Sequence, residues 1–276
     1  MQIAANRGRE RWRIEDMDFD QIETESVRHD EFLFLTLASA SFVEILSETY
    51  SDNLVKHFSG DVALTGWLTD HWQHEEVQHG RALRAYVKAV WPEFDWDASH
   101  EKFERAYRSF CTVEALEPSR ALELVARCVV ETGTSTFYRA MHDYVDEPVL
   151  RKLLENIKAD EAAHYAYFRR YFLTQNEKER KGFAAIVGTI WRRLSEVRGE
   201  DTYLAFKFVQ SARHPEKQFD EADWLRYNRT VKRLARRHYP FRMAAKMLIQ
   251  PLPTSAGIKR LLYWPLVGMA FLASVG

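Results

Sequence analysis

Cysteine, glycine and proline are all scarce in this chain of 276 residues, and each scarcity removes a class of structure. The two cysteines, Cys111 and Cys128, form neither a CxxC pair nor a disulfide framework, so a reducing, cytoplasmic setting is expected. Eleven glycines and eight prolines are too little punctuation for many short strands. No Gly-rich phosphate loop and no G-x-S-x-G elbow occurs, which removes the usual nucleotide-binding and serine-hydrolase signatures. The opening stretch MQIAANRGRERWRIEDMDFD is charged and has no apolar core, so no secretory leader is expected. Tandem repeats and low-complexity tracts are missing as well, which disfavours a solenoid. A net charge of -1 decides nothing about nucleic acid by itself, and no nucleic-acid partner is expected.

What the chain has instead is apolar content, 46%, arranged with a 3.6-residue period. The spacing predicts helices over 31–57, 62–91, 99–115, 119–145, 147–174, 177–212 and 221–248. Pro92, Pro118, Pro148 and Pro215 fall between them. The fold class is therefore all-α, an extended helical bundle with additional helices. Three parts are expected: an N-terminal arm over 1–30, the bundle over 31–215, and a basic and apolar C-terminal part over 216–276. From Arg226 to Lys246 there are eight Lys/Arg and no acidic residue; Lys259, Arg260 and the apolar run LLYWPLVGMAFLASVG follow. At sixteen residues with Pro265 inside, that run is shorter than the roughly 20 a spanning helix needs. One reading folds it back as a helix that buries its apolar side on the bundle. The other docks residues 226–276 on an acidic carrier protein or on the inner face of a membrane.

Residues 71–80, HWQHEEVQHG, hold three histidines and two glutamates. Placed on a helix, Leu68, Trp72, Glu76, His79, Leu83, Tyr86 and Val87 share one face, while His71, His74, Glu75 and Gln78 occupy the next. Two ionisable residues at i, i+3 thus sit in an apolar stripe. A buried carboxylate needs a positive partner, and a metal ion would serve. A second Glu-x-x-His lies on a cleaner stripe of Leu150, Leu153, Leu154, Ile157, Glu161, His164, Phe168 and Tyr171. Upstream of each pair stands a lone glutamate on a small or apolar face, Glu44 before Glu76 and Glu131 before Glu161. Glu48, one turn on, rivals Glu44. A dinuclear carboxylate site in a four-helix bundle takes this ligand set, one Glu from each of two helices and Glu-x-x-His from each of the others. Four carboxylates and two imidazoles without thiolate suit two iron ions, with manganese as the alternative, better than structural zinc.

At these residues the chain resembles the ferritin-like di-iron carboxylate superfamily, and within it the soluble acyl-carrier-protein desaturases. HEEVQHG at 74–80 looks like their E-E-x-x-H-G segment and DEAAH at 160–164 like their D-E-x-x-H; Thr49–Tyr50 after Glu44 is similar to their first ligand helix. The resemblance implies a ferritin-like core and iron ligands Glu44, Glu76, His79, Glu131, Glu161 and His164. Glu44 and His79 would serve one ion, Glu131 and His164 the other, with Glu76 and Glu161 bridging. It also implies that the Thr134 hydroxyl lies beside the metal pair and assists oxygen activation. Glu75 and Asp160 are positioned to hydrogen-bond the outer nitrogens of the two histidines. The motifs cover about residues 31–175; the chain is shorter than the plant-type desaturases, and its C-terminal part has no counterpart in the resemblance.

The expected activity is that of an O2-dependent di-iron oxidase acting on a fatty acyl chain, most simply desaturation of a chain on an acyl-carrier protein. It would draw electrons from a ferredoxin-like or other reductase. A homodimer is compatible with it. The alternatives are a di-iron hydroxylase, an N-oxygenase, an aldehyde-deformylating oxygenase, or an iron-binding bundle with no organic substrate. The N-oxygenases carry a further His one turn before the last Glu-x-x-His, where this chain has Ile157. His142 lies about 16 Å along the helix from Glu131, too far to ligate.

Overall fold

The computed structural model describes residues 11–109, 111–196 and 200–273, and every helix or strand among them is a helix. In chain order these are α1 (Thr24–Val27), α2 (Glu31–Ile45), α3 (Ser47–His57), α4 (Val62–Trp67), α5 (Gln73–Val90), α6 (Trp96–Tyr107), α7 (Arg120–Tyr144), α8 (Pro148–Glu179), α9 (Phe183–Glu196), α10 (Glu200–Arg213), α11 (Glu221–His238), α12 (Phe241–Ile249) and α13 (Ala256–Ala273). A π-helical turn over Leu68–Trp72 joins α4 to α5 without a break.

Short side chains set five of the starts. Asp30, Asp61, Asp95, Ser119 and Asp220 each accept a backbone N–H from the first turn of α2, α4, α6, α7 and α11. Glu147 does the same for α8, taking the N–H groups of Val149 and Leu150, with Pro148 at the first position where no N–H is needed.

Five expected segments change, among them 177–212, which holds α9 and α10. The helix expected over 31–57 divides at Leu46, where the Ser47 hydroxyl donates to the Glu44 carbonyl at 2.6 Å. The helix expected over 99–115 ends at Tyr107, and Val113–Ala115 is only a short 3-10 turn. No break falls near residue 175; α8 runs on to Glu179 and stops where Arg180 turns left-handed at φ 52°. The segment expected over 221–248 splits at Pro240, which has no N–H to give and pushes Tyr239 into extended backbone.

Two antiparallel pairs form the centre, α2 against α5 and α7 against α8, with α5 also touching α8. Their directions follow from two apolar clusters. One gathers Leu33, Leu37 and Phe42, Leu83, Tyr86 and Val90, Tyr138 and Met141, and Leu150, Leu153 and Ile157. The other gathers Leu54, Leu68, Trp72, Leu124, Cys128, Tyr165, Phe168 and Phe172. The chain runs from the first cluster to the second along α2–α3 and α8, and back along α5 and α7. Because α5 and α7 are parallel, the chain must return between them, and α6 lies on that return. On α5, α7 and α8 the candidate residues fall between the two clusters: Glu76 and His79 between Trp72 and Leu83, Glu131 between Cys128 and Tyr138, Glu161 and His164 between Ile157 and Phe168. Glu44 stands at the end of α2, after Phe42 and Leu37 of the first cluster and ahead of Leu54 of the second. One polar layer is therefore sealed by apolar packing at both ends.

Gly80 lets α5 approach α2 at that layer. A Cβ there would stand 2.5 Å from the Ile45 nitrogen and 2.8 Å from its Cα, and neither backbone atom can swing aside. Gly80→Ala is expected to cost about 1–3 kcal/mol by overpacking, a drop of about 5 °C in Tm. Because Ile45 adjoins Glu44, the same variant should also hold metal more weakly. Thermal unfolding and metal titration check both; an unchanged Tm would show that α2 and α5 can part freely.

Of the expected N-terminal arm, residues 1–10 lie outside the described residues. Trp12, Met17 and Val27 are buried in the first apolar cluster. At the other end α12 packs on α7, and α13 packs on α12.

Candidate metal centre

The polar layer is unusual for its depth. Glu44, Glu76, His79, Glu131, Glu161 and His164 are all buried, none more than 8% exposed. They form two groups of four whose ligand atoms lie within 4.8 Å of one another: Glu44, Glu76, His79 and Glu161 in one, Glu76, Glu131, Glu161 and His164 in the other. Glu76 and Glu161 belong to both. Each group could hold a metal ion. Glu48, the rival of Glu44, is exposed and belongs to neither. His74 is exposed and His71 half-buried, outside both groups. His142 pairs with Asp143 and Glu155 at the far end of α7.

The two histidines are fixed from outside. The Asp160 carboxylate lies 3.2 Å from His79 Nε2, and the Glu75 carboxylate 2.7 Å from His164 Nε2. An ionised carboxylate only accepts, so Nε2 of each ring carries the proton and donates. In a neutral ring Nδ1 then has a lone pair directed inward. The exchange is reciprocal: α8 supplies the anchor for the α5 histidine, and α5 supplies the anchor for the α8 histidine.

Inside the layer the polar atoms lack partners. His79 Nδ1, His164 Nδ1, one oxygen of Glu131 and one of Glu161 are buried without a hydrogen bond. Yet His79 Nδ1 is 3.3 Å from Glu161 Oε1, and His164 Nδ1 is 3.0 Å from Glu76 Oε1 and 3.7 Å from Glu131 Oε2. Lone pairs facing one another in a dry interior repel, and an unpartnered buried carboxylate costs several kcal/mol. A cation among them relieves both. Without one the layer must hold protons. Burial raises Glu44, Glu76 and Glu131, the last to about 8, and the Glu161 charge pushes the same way. Burial alone would lower both imidazoles. Contacts with Asp160 and Glu161 for His79, and with Glu131, Glu75 and Glu76 for His164, outweigh it and hold both well above their ordinary range. Burial would also raise Glu161, but contact with His79 and the charges of both imidazoles draw it below the usual value. The donor set and its orphaned atoms fit metal ions.

Hydroxyl groups complete the layer. Thr134, half-buried, donates to Glu161 Oε2, and Tyr138 donates to Glu44 Oε1. Burial and the Glu44 charge push the Tyr138 phenol far up, so it remains a donor at any physiological pH. Ser135 Oγ and Trp72 Nε1 are also buried without a partner.

The sequence reading missed Trp12 and the role of Tyr138. Trp12 Nε1 donates to Asp160 Oδ2 at 2.7 Å, and its ring stacks parallel to His79 with centroids 6.2 Å apart. Arg11 adds a contact to Asp160 Oδ1 at 3.5 Å. The one available signal was a lone tryptophan in an otherwise polar lead-in. The π turn over Leu68–Trp72, just ahead of Glu75 and Glu76, was not foreseen either; such turns recur at functional sites.

The anchors differ in depth, the Asp160 side chain being 2% exposed and that of Glu75 26%. Asp160→Asn is expected to weaken metal binding about 10- to 100-fold at the His79 position. Glu75→Gln should weaken the His164 position less, because water can replace that carboxylate. Chelator-competition titrations of the two variants check the ranking; a larger effect for Glu75→Gln would reverse it.

No protein-family model, no curated protein and no solved structure matches this chain.

Proposed function

We propose that this protein is an O2-dependent di-iron oxidase with a ferritin-like four-helix core. Its substrate on this reading is a fatty acyl or similar lipid-like chain, and the reaction desaturation. One observation carries the reading: two overlapping buried clusters share Glu76 and Glu161, and within them His79 Nδ1, His164 Nδ1 and one oxygen each of Glu131 and Glu161 have no hydrogen-bond partner.

Glu44 and His79 would hold one ion, Glu131 and His164 the other, and Glu76 and Glu161 both. Two iron ions bound there would supply the redox centre at which O2 is reduced; manganese fits the same donors. In a desaturation O2 takes four electrons, two with the two hydrogens lost by the chain and two from an external donor with two protons from solvent, and leaves as two waters. The protein's own groups set the conditions. Asp160 and Glu75 hold the imidazole tautomers. Tyr138 and Thr134 each occupy one carboxylate oxygen and fix its orientation. Thr134, less buried than the ligands, is the hydroxyl best placed to pass a proton into the layer. The apolar clusters on either side exclude water, which would otherwise compete for the metals and for an oxidising site. Ile157 is fully buried in the core, so the extra histidine ligand of the N-oxygenases has no equivalent.

Anaerobic reconstitution with ferrous iron, followed by metal analysis and O2 uptake, tests the centre. About two irons per chain are expected, with O2 consumed on exposure. Fewer than about one iron per chain, unchanged in Glu76→Ala, would end the di-iron reading. Mass spectrometry of ligands extracted from the purified protein tests the substrate class. A long acyl chain supports desaturation; an aromatic ligand would point to a different oxygenase.

A further inference from the structure

We propose that α13, together with the basic helices that precede it, is a docking surface for an anionic lipid bilayer. This does not rest on the metal reading; its evidence lies at the other end of the chain.

The charge is sharply divided. Residues 226–276 hold ten Lys/Arg and no Asp or Glu, so all 40 acidic residues lie in the first 225. A chain that is almost neutral overall therefore ends in a strongly cationic segment, which neither the fold nor the metal layer requires. On α11 and α12, Arg229, Lys232, Arg233, Arg237, Arg242 and Lys246 are exposed.

The apolar component is α13. Its inner side, Leu262, Tyr263 and Leu266, packs against the second apolar cluster. The outer side is as apolar as the inner and faces solvent: Leu261 is 75% exposed, Leu272 68%, Met269 60% and Trp264 58%. Positions 261, 264, 268 and 272 form one helical stripe. A helix apolar on all sides, with only one side packed, has a second apolar environment to meet. Spanning is not that environment, because α13 carries Lys259 and Arg260 in its first turns, has Pro265 inside, and is pinned along α12.

The two components are joined. The Arg242 guanidinium lies over the Trp264 ring at 5.2 Å, and Phe241 meets Phe271 with ring centroids 5.6 Å apart. The Arg242 cation therefore borders the apolar stripe at Trp264, and Lys259 and Arg260 precede the stripe on α13 itself. An apolar stripe with Trp and flanking cations matches the boundary between acyl chains and anionic headgroups. An acidic carrier protein would meet the cations but leave the stripe in water. A second copy of this face would cover the stripe but bring like charges together.

Co-sedimentation of the full chain with extruded vesicles tests this, using phosphatidylcholine alone and phosphatidylcholine with phosphatidylglycerol. The expected result is binding to the anionic vesicles at least about tenfold tighter than to neutral ones, with the preference lost in high salt. Leu261→Gln/Trp264→Gln/Leu272→Gln should lower binding at least about tenfold, with circular dichroism and Tm unchanged because these side chains point away from the core. Removing residues 226–276 is the poorer variant, since Met247, Ile249 and Leu252 are core. If the triple variant nonetheless misfolds, Arg242→Gln/Arg260→Gln provides the same test through the cations that adjoin the stripe. The proposal fails if wild type sediments with neither vesicle, or if both sets of variants bind as wild type does. It fails too if wild type is a dimer that the triple variant turns into a monomer without any lipid binding.

Discussion

Glu161→Ala is expected to empty both metal positions at once, lowering bound iron from about two per chain to well under one. The reason is its place in the layer: Glu161 belongs to both groups of four, is fully buried, and accepts from Thr134. Its loss takes one of four donors from each ion and leaves His79 Nδ1 without its nearest carboxylate, at 3.3 Å. Loss of a group that merely orients a ligand costs about 10- to 100-fold in metal affinity, and loss of a donor shared by two ions should exceed that at both. O2 uptake by the reconstituted protein should fall with the metal. Glu44→Ala is the informative contrast, because Glu44 belongs to one group only and its loss should leave the His164 position occupied. Metal analysis of the two variants separates these outcomes. Equal loss in both would mean that the ions bind only as a pair; retention of two irons in Glu161→Ala would remove Glu161 from the site.

The second large effect is an inverted pH dependence. Glu131 is raised from 4.5 to about 8 by burial, Glu44 and Glu76 are also raised, and His79 and His164 stand well above 6.5. In the metal-free protein these groups keep protons that the unfolded chain has already released. Wherever the native state binds more protons than the unfolded one, stability falls as pH rises. The window is set by the groups acting the other way. His57 and His100, lowered chiefly by burial, add stability as pH rises, but only up to about the imidazole's ordinary 6.5. Carboxylates held low, such as Asp97 beside Lys88 and Arg84, act below about 4.5. Between roughly pH 7 and 8.5 the raised groups therefore dominate, and the Tm of chelator-treated protein should decrease. Metal replaces the protons, so binding should release them and tighten as pH rises. At a thousandfold excess over Kd, metal adds about 4 kcal/mol, or on the order of 10 °C for a chain of this size. Tm measured at the two pH values with and without ferrous iron checks both signs. A Tm that rises with pH in chelator, with no shift on adding metal, would show that the layer is a self-satisfied polar network.

The sequence and the structure divide the account unevenly. That each helix buries its Glu-x-x-His or lone Glu was legible, because a 3.6-residue period is a property of one segment alone. Leu68, Trp72, Glu76, His79, Leu83, Tyr86 and Val87 share a face in the sequence and are all buried in the fold. Helix ends were less legible where the deciding feature was a single residue. Arg180 ends α8 by turning left-handed, a conformation its residue type does not announce. Gly80 appears in the sequence as one more small residue; only the nearness of the Ile45 backbone explains why it has no side chain.

What the sequence determined by itself is therefore the all-helical class, the buried face of each long helix, the two Glu-x-x-His pairs with lone glutamates upstream of them, and the cationic C-terminal segment. All are local patterns or simple counts. What only the tertiary structure decided are relations between distant positions. They include Trp12 on Asp160 across 148 residues and Tyr138 on Glu44 across 94. They include the choice of Glu44 over Glu48 and the apolar side of α13 that the other helices leave uncovered. A helical period shows that a side chain points inward, but the packing of other helices alone decides what it meets there.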